Sequence, residues 1–143
     1  MATETKTESQ TQTFVARQPI VDAQRRVLGY ELLFRASERP TASPPDPSHA
    51  TARVIVDSLF AIGLDTLVGR RRAFVNVGRE VILEGVAAVL PADRVVLELG
   101  ADVEADEDVL AACRDLRSQG FALAIDDFVL TETTEPLLPL VSY

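Results

Sequence analysis

Five oxygen-bearing side chains recur around short apolar runs: Glu31 in GYELLFR, Asn76 after AFV, Glu98 after VVL, and Asp126 and Asp127 after LAI. A charge beside a buried apolar strand is costly unless it is paired, hydrogen-bonded or metal-bound. Asp, Glu and Asn oxygens with no neighbouring His or Cys are the ligand set of a hard cation such as Mg²⁺, Mn²⁺ or Ca²⁺, whereas zinc prefers softer ligands. A lone acid at a strand end is more often a helix cap or a solvated loop residue. Repetition at the ends of four strands lowers the weight of that reading.

The elements that must position these residues are separated by clear punctuation. Residues 14–21 and 27–35 are β-prone runs split by DAQRR, the pattern of a hairpin or tight strand connection. Residues 36–48 hold four prolines in thirteen residues and form a loop. A helix is expected next, capped by Asp46 with Pro47 in its first turn, carrying Ala52, Ile55, Leu59 and Ile62 on a core face and stopping at Gly63. Strands at 73–77, 95–99 and 121–125 alternate with helices at 80–90, closed by Pro91, and at about 106–119. Strands alternating with helices imply βαβ units and a parallel sheet, so the fold class is α/β. Ligand sites of such sheets lie at the C-terminal edge of the strands, where Asn76, Glu98, Asp126 and Asp127 fall. Glu31 joins them if its strand runs the same way.

Composition narrows the function classes. The chain has 143 residues, 47% of them hydrophobic and 25% charged, which suits one soluble globular domain at 13–143 behind a disordered polar tail at 1–12. A net charge of -8 argues against nucleic acid polymers as partners, because phosphate-backbone affinity comes from Lys and Arg. No window approaches the roughly 20 apolar residues of a membrane span, and there is no signal-peptide core. The single cysteine, Cys113, excludes an intrachain disulfide and fits a cytoplasmic location, its spacing being that of a core-facing helix position. His49 reads as surface polar, and Arg70, Arg71 and Arg72 as a solvated charge run, with anion binding as the minority reading.

ARQPIVDAQRRVLGYELLFR, AFVNVG, VVLELG and LAIDDF, in that order, resemble the first half of an EAL domain, and ARQPI and YELLFR are similar to the branch that carries a following HDOD domain. The resemblance implies a partial TIM-type (β/α) barrel and, for the family, a cyclic di-GMP phosphodiesterase yielding linear pGpG with two Mg²⁺ or Mn²⁺ ions, Ca²⁺ being an inhibitory substitute. By motif position it implies metal ligation by Glu31, Asn76, Glu98, Asp126 and Asp127, and nucleotide contacts by Gln18 and Arg35. A two-metal clamp suits phosphodiester hydrolysis because it activates the water and stabilises both oxygens of an in-line displacement.

Departures from the family pattern pull the other way. Glu98 is followed by Leu99, Gly100 and Ala101, so the second Glu of that motif is missing, and Val129 stands where a glycine follows Asp-Asp-Phe. The only lysine is Lys6, and the sequence ends at Tyr143 ahead of the strand expected to carry the family's catalytic lysine. The expectation is a degenerate, truncated module that is catalytically inactive and acts in cyclic di-GMP signalling through protein contacts or nucleotide and metal binding. A half barrel should also cover its open edge with a protein partner or by self-association. An active phosphodiesterase and a non-functional fragment of a longer regulator are the alternatives.

Overall fold

The computed structural model describes residues 14–35, 52–100 and 103–143. Expectations for the tail at 1–12, the proline-rich loop, the Asp46 cap and His49 lie outside these residues. β1 (Phe14–Val21) and β2 (Val27–Arg35) form the expected hairpin, with Gln18 opposite Glu31. Its turn is held by Asp22, whose carboxylate accepts from the Gln24 and Arg26 amides at 2.9 Å and from the Arg26 guanidinium at 2.7 Å.

α1 (Ala52–Ile62) buries Ile55 and Leu59, but Ile62 is 37% exposed. It sits in the last turn before Gly63, beyond the stretch that packs on the sheet. A short helix α2 (Leu64–Val68) follows, which apolar spacing did not reveal because five residues are too few to show a period. β3 (Arg72–Val77) leads into α3 (Arg79–Glu84). The expected helix at 80–90 therefore stops early. Gly85 takes a left-handed conformation, φ 65°, which caps α3, and the chain continues as a 3₁₀ turn at Val86–Val89.

β4 (Val95–Leu99) is buried at every position. α4 (Glu107–Ser118) starts where the sequence places it: the Asp106 side chain accepts from the Val109 amide at 3.0 Å. Val109, Cys113 and Leu116 form its buried stripe, and each such side chain contributes roughly 1.5–3 kcal/mol by leaving water. β5 (Ala122–Ile125) is followed by a loop and a 3₁₀ helix at Glu135–Leu140.

The five strands lie in the order β1-β2-β3-β4-β5. β1 is antiparallel to β2, and β2 to β5 are parallel. β2 thus runs with its neighbours, which was the condition for Glu31 to join the C-terminal edge. The main core lies between one face of the sheet and the helices, where Leu32, Val75, Val77, Leu97, Leu99 and Leu123 meet Ile55, Leu59, Val109 and Leu116. The opposite face carries only a small cluster of Phe74, Val96 and Ala124, with Ile20 and Ala122 against it.

Candidate functional site

Strand register decides which side chains share that second face. Gln18 pairs with Glu31, Glu31 with Phe74, Phe74 with Val96, Asn76 with Glu98, and Glu98 with Ala124. Cross-strand partners project to the same side, so Gln18, Glu31, Asn76 and Glu98 stand on the face that the helices leave free.

Their contacts are specific. The Asn76 side-chain amide donates to Glu31 Oε1 at 2.8 Å, tying β3 to β2. Glu98 is 7% exposed, and its Oε2 has no hydrogen-bond partner among the described residues. Burial, and then the charges of Glu31 and Asp126, push the Glu98 carboxyl up to about 7. A buried, unpartnered acid in the field of two other carboxylates is short of positive charge. The same chain shows the contrast at Asp106, where the Val109 amide and Arg79 hold the carboxyl below its ordinary range. Asp106 is a satisfied cap; Glu98 is not satisfied.

Asp126 and Asp127 lie one step beyond β5 and are exposed. The Asp126 amide donates to Leu99 O at 3.1 Å, extending the ladder to the end of β4, and the Asp126 carboxylate accepts from the Asp127 amide at 2.9 Å. Asp127 is left-handed at φ 47°, a conformation Asp tolerates better than most residues. The tight turn falls at Asp127 and does not require a glycine at 129. Beyond it, the Thr134 hydroxyl donates to Val129 O at 2.6 Å and accepts from the Thr131 amide at 2.9 Å, holding the loop.

The seven residues singled out by sequence are therefore distributed unevenly. Glu31, Asn76 and Glu98 come together and Asp126 lies within their electrostatic reach, while the backbone of Asp127 makes the turn and its side chain is exposed. Gln18 shares their face but is exposed, with no side-chain hydrogen bond among the described residues. Arg35 closes β2 opposite Phe14, and its side chain lies outside the described residues. Among the described residues no three His, Cys, Asp or Glu side chains stand close enough to hold a metal ion as they are. The donor chemistry fits a hard cation; the spacing is open.

Sequence reasoning missed the floor of this site. Phe74, Val96 and Ala124 underlie the acids, and the Tyr143 ring meets Phe74 edge-on at 5.3 Å between centroids. The alternation at 74 and 76 was a usable signal for Phe74. Nothing local marked Tyr143, which arrives because Ser142 and Tyr143 pair along β5 through bonds of 2.8 and 3.3 Å.

No family model matches the chain. It is 37% identical over 131 residues, 90% of its length, to the cyclic di-GMP phosphodiesterase CdgJ of Vibrio cholerae, and 33% identical over 132 residues to YuxH of Bacillus subtilis. It spans 30% and 32% of the lengths of these two curated relatives. In fold it is similar to the Bacillus subtilis YkuI protein, which has an EAL domain and was solved with cyclic di-GMP and calcium, at a TM-score of 0.57 and 19% identity, over 90% of this chain and 39% of that one. The EAL enzyme Bd1971, bound to cAMP and cyclic di-GMP, matches at 0.57 and 18%, over 91% of this chain and 44% of its own. The sheet, its helical cover and these likenesses together give the chain the fold of part of an EAL-type barrel.

Proposed function

We propose that the chain is a module of cyclic di-GMP signalling that recognises the nucleotide, together with a divalent cation, at the C-terminal edge of its parallel sheet. The observation that carries this reading is Glu98: a buried carboxylate with an unpartnered oxygen, facing Glu31 and Asp126. Mg²⁺ or Mn²⁺ is the cation proposed, held by Glu31, Asn76, Glu98 and Asp126, with Asp127 shaping the loop or adding an oxygen. When bound, the cation supplies positive charge that a phosphate oxygen can share. Asn76 fixes the Glu31 carboxylate through its amide. Gln18 stands on the same face and Arg35 ends the same strand, so both are assigned to the nucleotide, Arg35 as a guanidinium suited to phosphate. The relatives named for, or solved with, cyclic di-GMP support the choice of ligand.

The reading is binding without turnover. Ala101 stands where the second Glu of the motif that begins at Glu98 is expected. Loss of a general acid-base or positioning group costs about 10²- to 10⁴-fold in rate, and such losses compound. The phosphodiesterase name of the Vibrio cholerae relative favours the second reading, an active enzyme.

Calorimetric titration of cyclic di-GMP with and without Mg²⁺, followed by an assay of the cell contents for linear dinucleotide, separates the two. Mg²⁺-dependent binding without product, lost in Glu31→Ala, is the expected result. Product would establish the enzyme, and no binding under either condition would overturn both readings.

A further inference from the structure

The edge of the sheet opposite the carboxylates is rich in arginine. The register pairs Gly29 with Arg72, which sets the Asp22–Arg26 turn beside the loop at Gly69–Arg72. Two arginines there are consumed in building the turns: Arg26 pairs with Asp22 at 2.7 Å, and Arg94 donates to Gly69 O at 2.6 Å and Asp65 at 3.0 Å. Arg25, Arg70 and Arg71 are exposed, and none makes a side-chain hydrogen bond or ion pair among the described residues. Arg72 reaches only the Tyr143 hydroxyl, at 3.4 Å. Arg25 moreover holds a left-handed backbone, φ 60°, that glycine or asparagine would adopt at lower cost. Apolar surface lies beside these charges: Val21 is 50% exposed and Leu28 38% exposed.

We propose that this basic edge, the Asp22–Arg26 turn with the Gly69–Arg72 loop, is a docking surface for an acidic polypeptide segment of a partner protein. The reasons are charge, shape and neighbourhood. In a chain of net charge -8 this edge keeps an excess of arginine among the described residues, even with Asp93 exposed in the neighbouring turn before β4, because the acids of the other edge stand a strand length away. Five residues at about 3.3 Å each exceed the Debye length of about 8 Å at physiological salt, so the two edges act independently. Arginines flanking exposed aliphatic side chains are the composition of a protein interface, not of a pocket that encloses a small ion. A bilayer or duplex presents charge over more than a Debye length and would also meet the acidic remainder of the molecule, whereas a narrow acidic helix or loop meets the patch alone.

The test uses the whole chain and a short fluorescein-labelled peptide of glutamate and leucine, with its glutamine–leucine counterpart as control. Anisotropy should show saturable binding of the acidic peptide only, weakening about tenfold or more in Arg70→Glu/Arg71→Glu and fading as salt rises. Arg114→Glu, which alters an exposed arginine on α4, should leave it unchanged. Equal loss in both variants, or no binding by the parent chain, overturns the proposal. Tighter binding to phosphatidylserine vesicles or to duplex DNA overturns the choice of a protein partner. If the glutamate pair fails to fold, Arg70→Gln/Arg71→Gln must show a smaller loss in the same direction. The cyclic di-GMP titration should not change in any of these variants, so this surface and the carboxylate edge fail or stand separately.

Discussion

The parallel strands present two faces of opposite character, although both are written in the same short segments. On the helix-covered face Val75, Val77, Leu97, Leu99 and Leu123 are buried in the main core. On the other, the alternate residues Phe74, Val96 and Ala124 make a thin apolar floor below Glu31, Asn76 and Glu98. Side chains of a strand point alternately to its two sides, so each strand can serve packing with one set and chemistry with the other. The difference teaches where stability resides. The covered face should be intolerant of lost volume, while the open face should tolerate lost charge.

Leu97→Ala tests the covered face, and its effect should be the largest. The side chain is fully buried between sheet and helices, and removing it leaves both a transfer loss and a cavity. Urea denaturation should show about 2–5 kcal/mol less stability. Loss of less than about 1 kcal/mol would mean that this face is loosely packed and that the contrast between the faces is false.

The open face responds to pH, with the next largest effect. The Glu98 carboxyl is raised to about 7 in the folded chain from an ordinary value of 4.5. Between these two values the folded state holds a proton that the unfolded state has released, so stability present at low pH is lost as pH rises through about 7. The slope can reach about 1.4 kcal/mol per pH unit, and the whole change is on the order of 3 kcal/mol. Melts in chelator-containing buffer at a series of pH values should therefore show the parent chain losing stability from mildly acidic to neutral pH. Glu98→Gln should be flat over that window and at least as stable as the parent above it. A parent profile as flat as the variant's would mean that the buried oxygen is satisfied in solution.

How much of this was readable beforehand follows the same division. β1, β2 and β4 match their expected bounds because apolar or alternating runs bounded by turn residues are local signals. α4 was legible from Asp106, its acidic first turn and the Val109–Cys113–Leu116 stripe. The break at Gly85 was not, since an isolated glycine within an apolar-periodic stretch can be carried through or can cap, and packing decides. For the site, the rule that parallel sheets keep function at the C-terminal edge located Asn76, Glu98 and Asp126 without any coordinates. It could not supply the Asn76–Glu31 bond, which joins residues 45 apart in sequence, nor the left-handed step at Asp127 that turns the loop. It also gave no hint of Tyr143 beneath the site. Such facts come from strand pairing and packing across the sheet, which no single strand encodes.

The close approach of β2 and β3 supplies the smallest and most local test. Gly29 begins the inward row of β2, and a Cβ there would lie 2.5 Å from the Arg72 carbonyl oxygen and 2.7 Å from the Phe74 ring. Its lack of a side chain lets β3 and the aromatic floor approach β2 closely. In Gly29→Ala the ring can turn aside but the backbone oxygen cannot, so the β2–β3 ladder must open at its N-terminal end. Overpacking of this kind costs about 1–3 kcal/mol. It should show as a lowered melting temperature and as faster hydrogen exchange at the amides of β3, with the helix-covered core protected as before. If exchange instead quickened throughout the main core, the two faces would not be separable layers, and the site would owe its geometry to the whole sheet and not to the row of residues from Gly29 to Asn76.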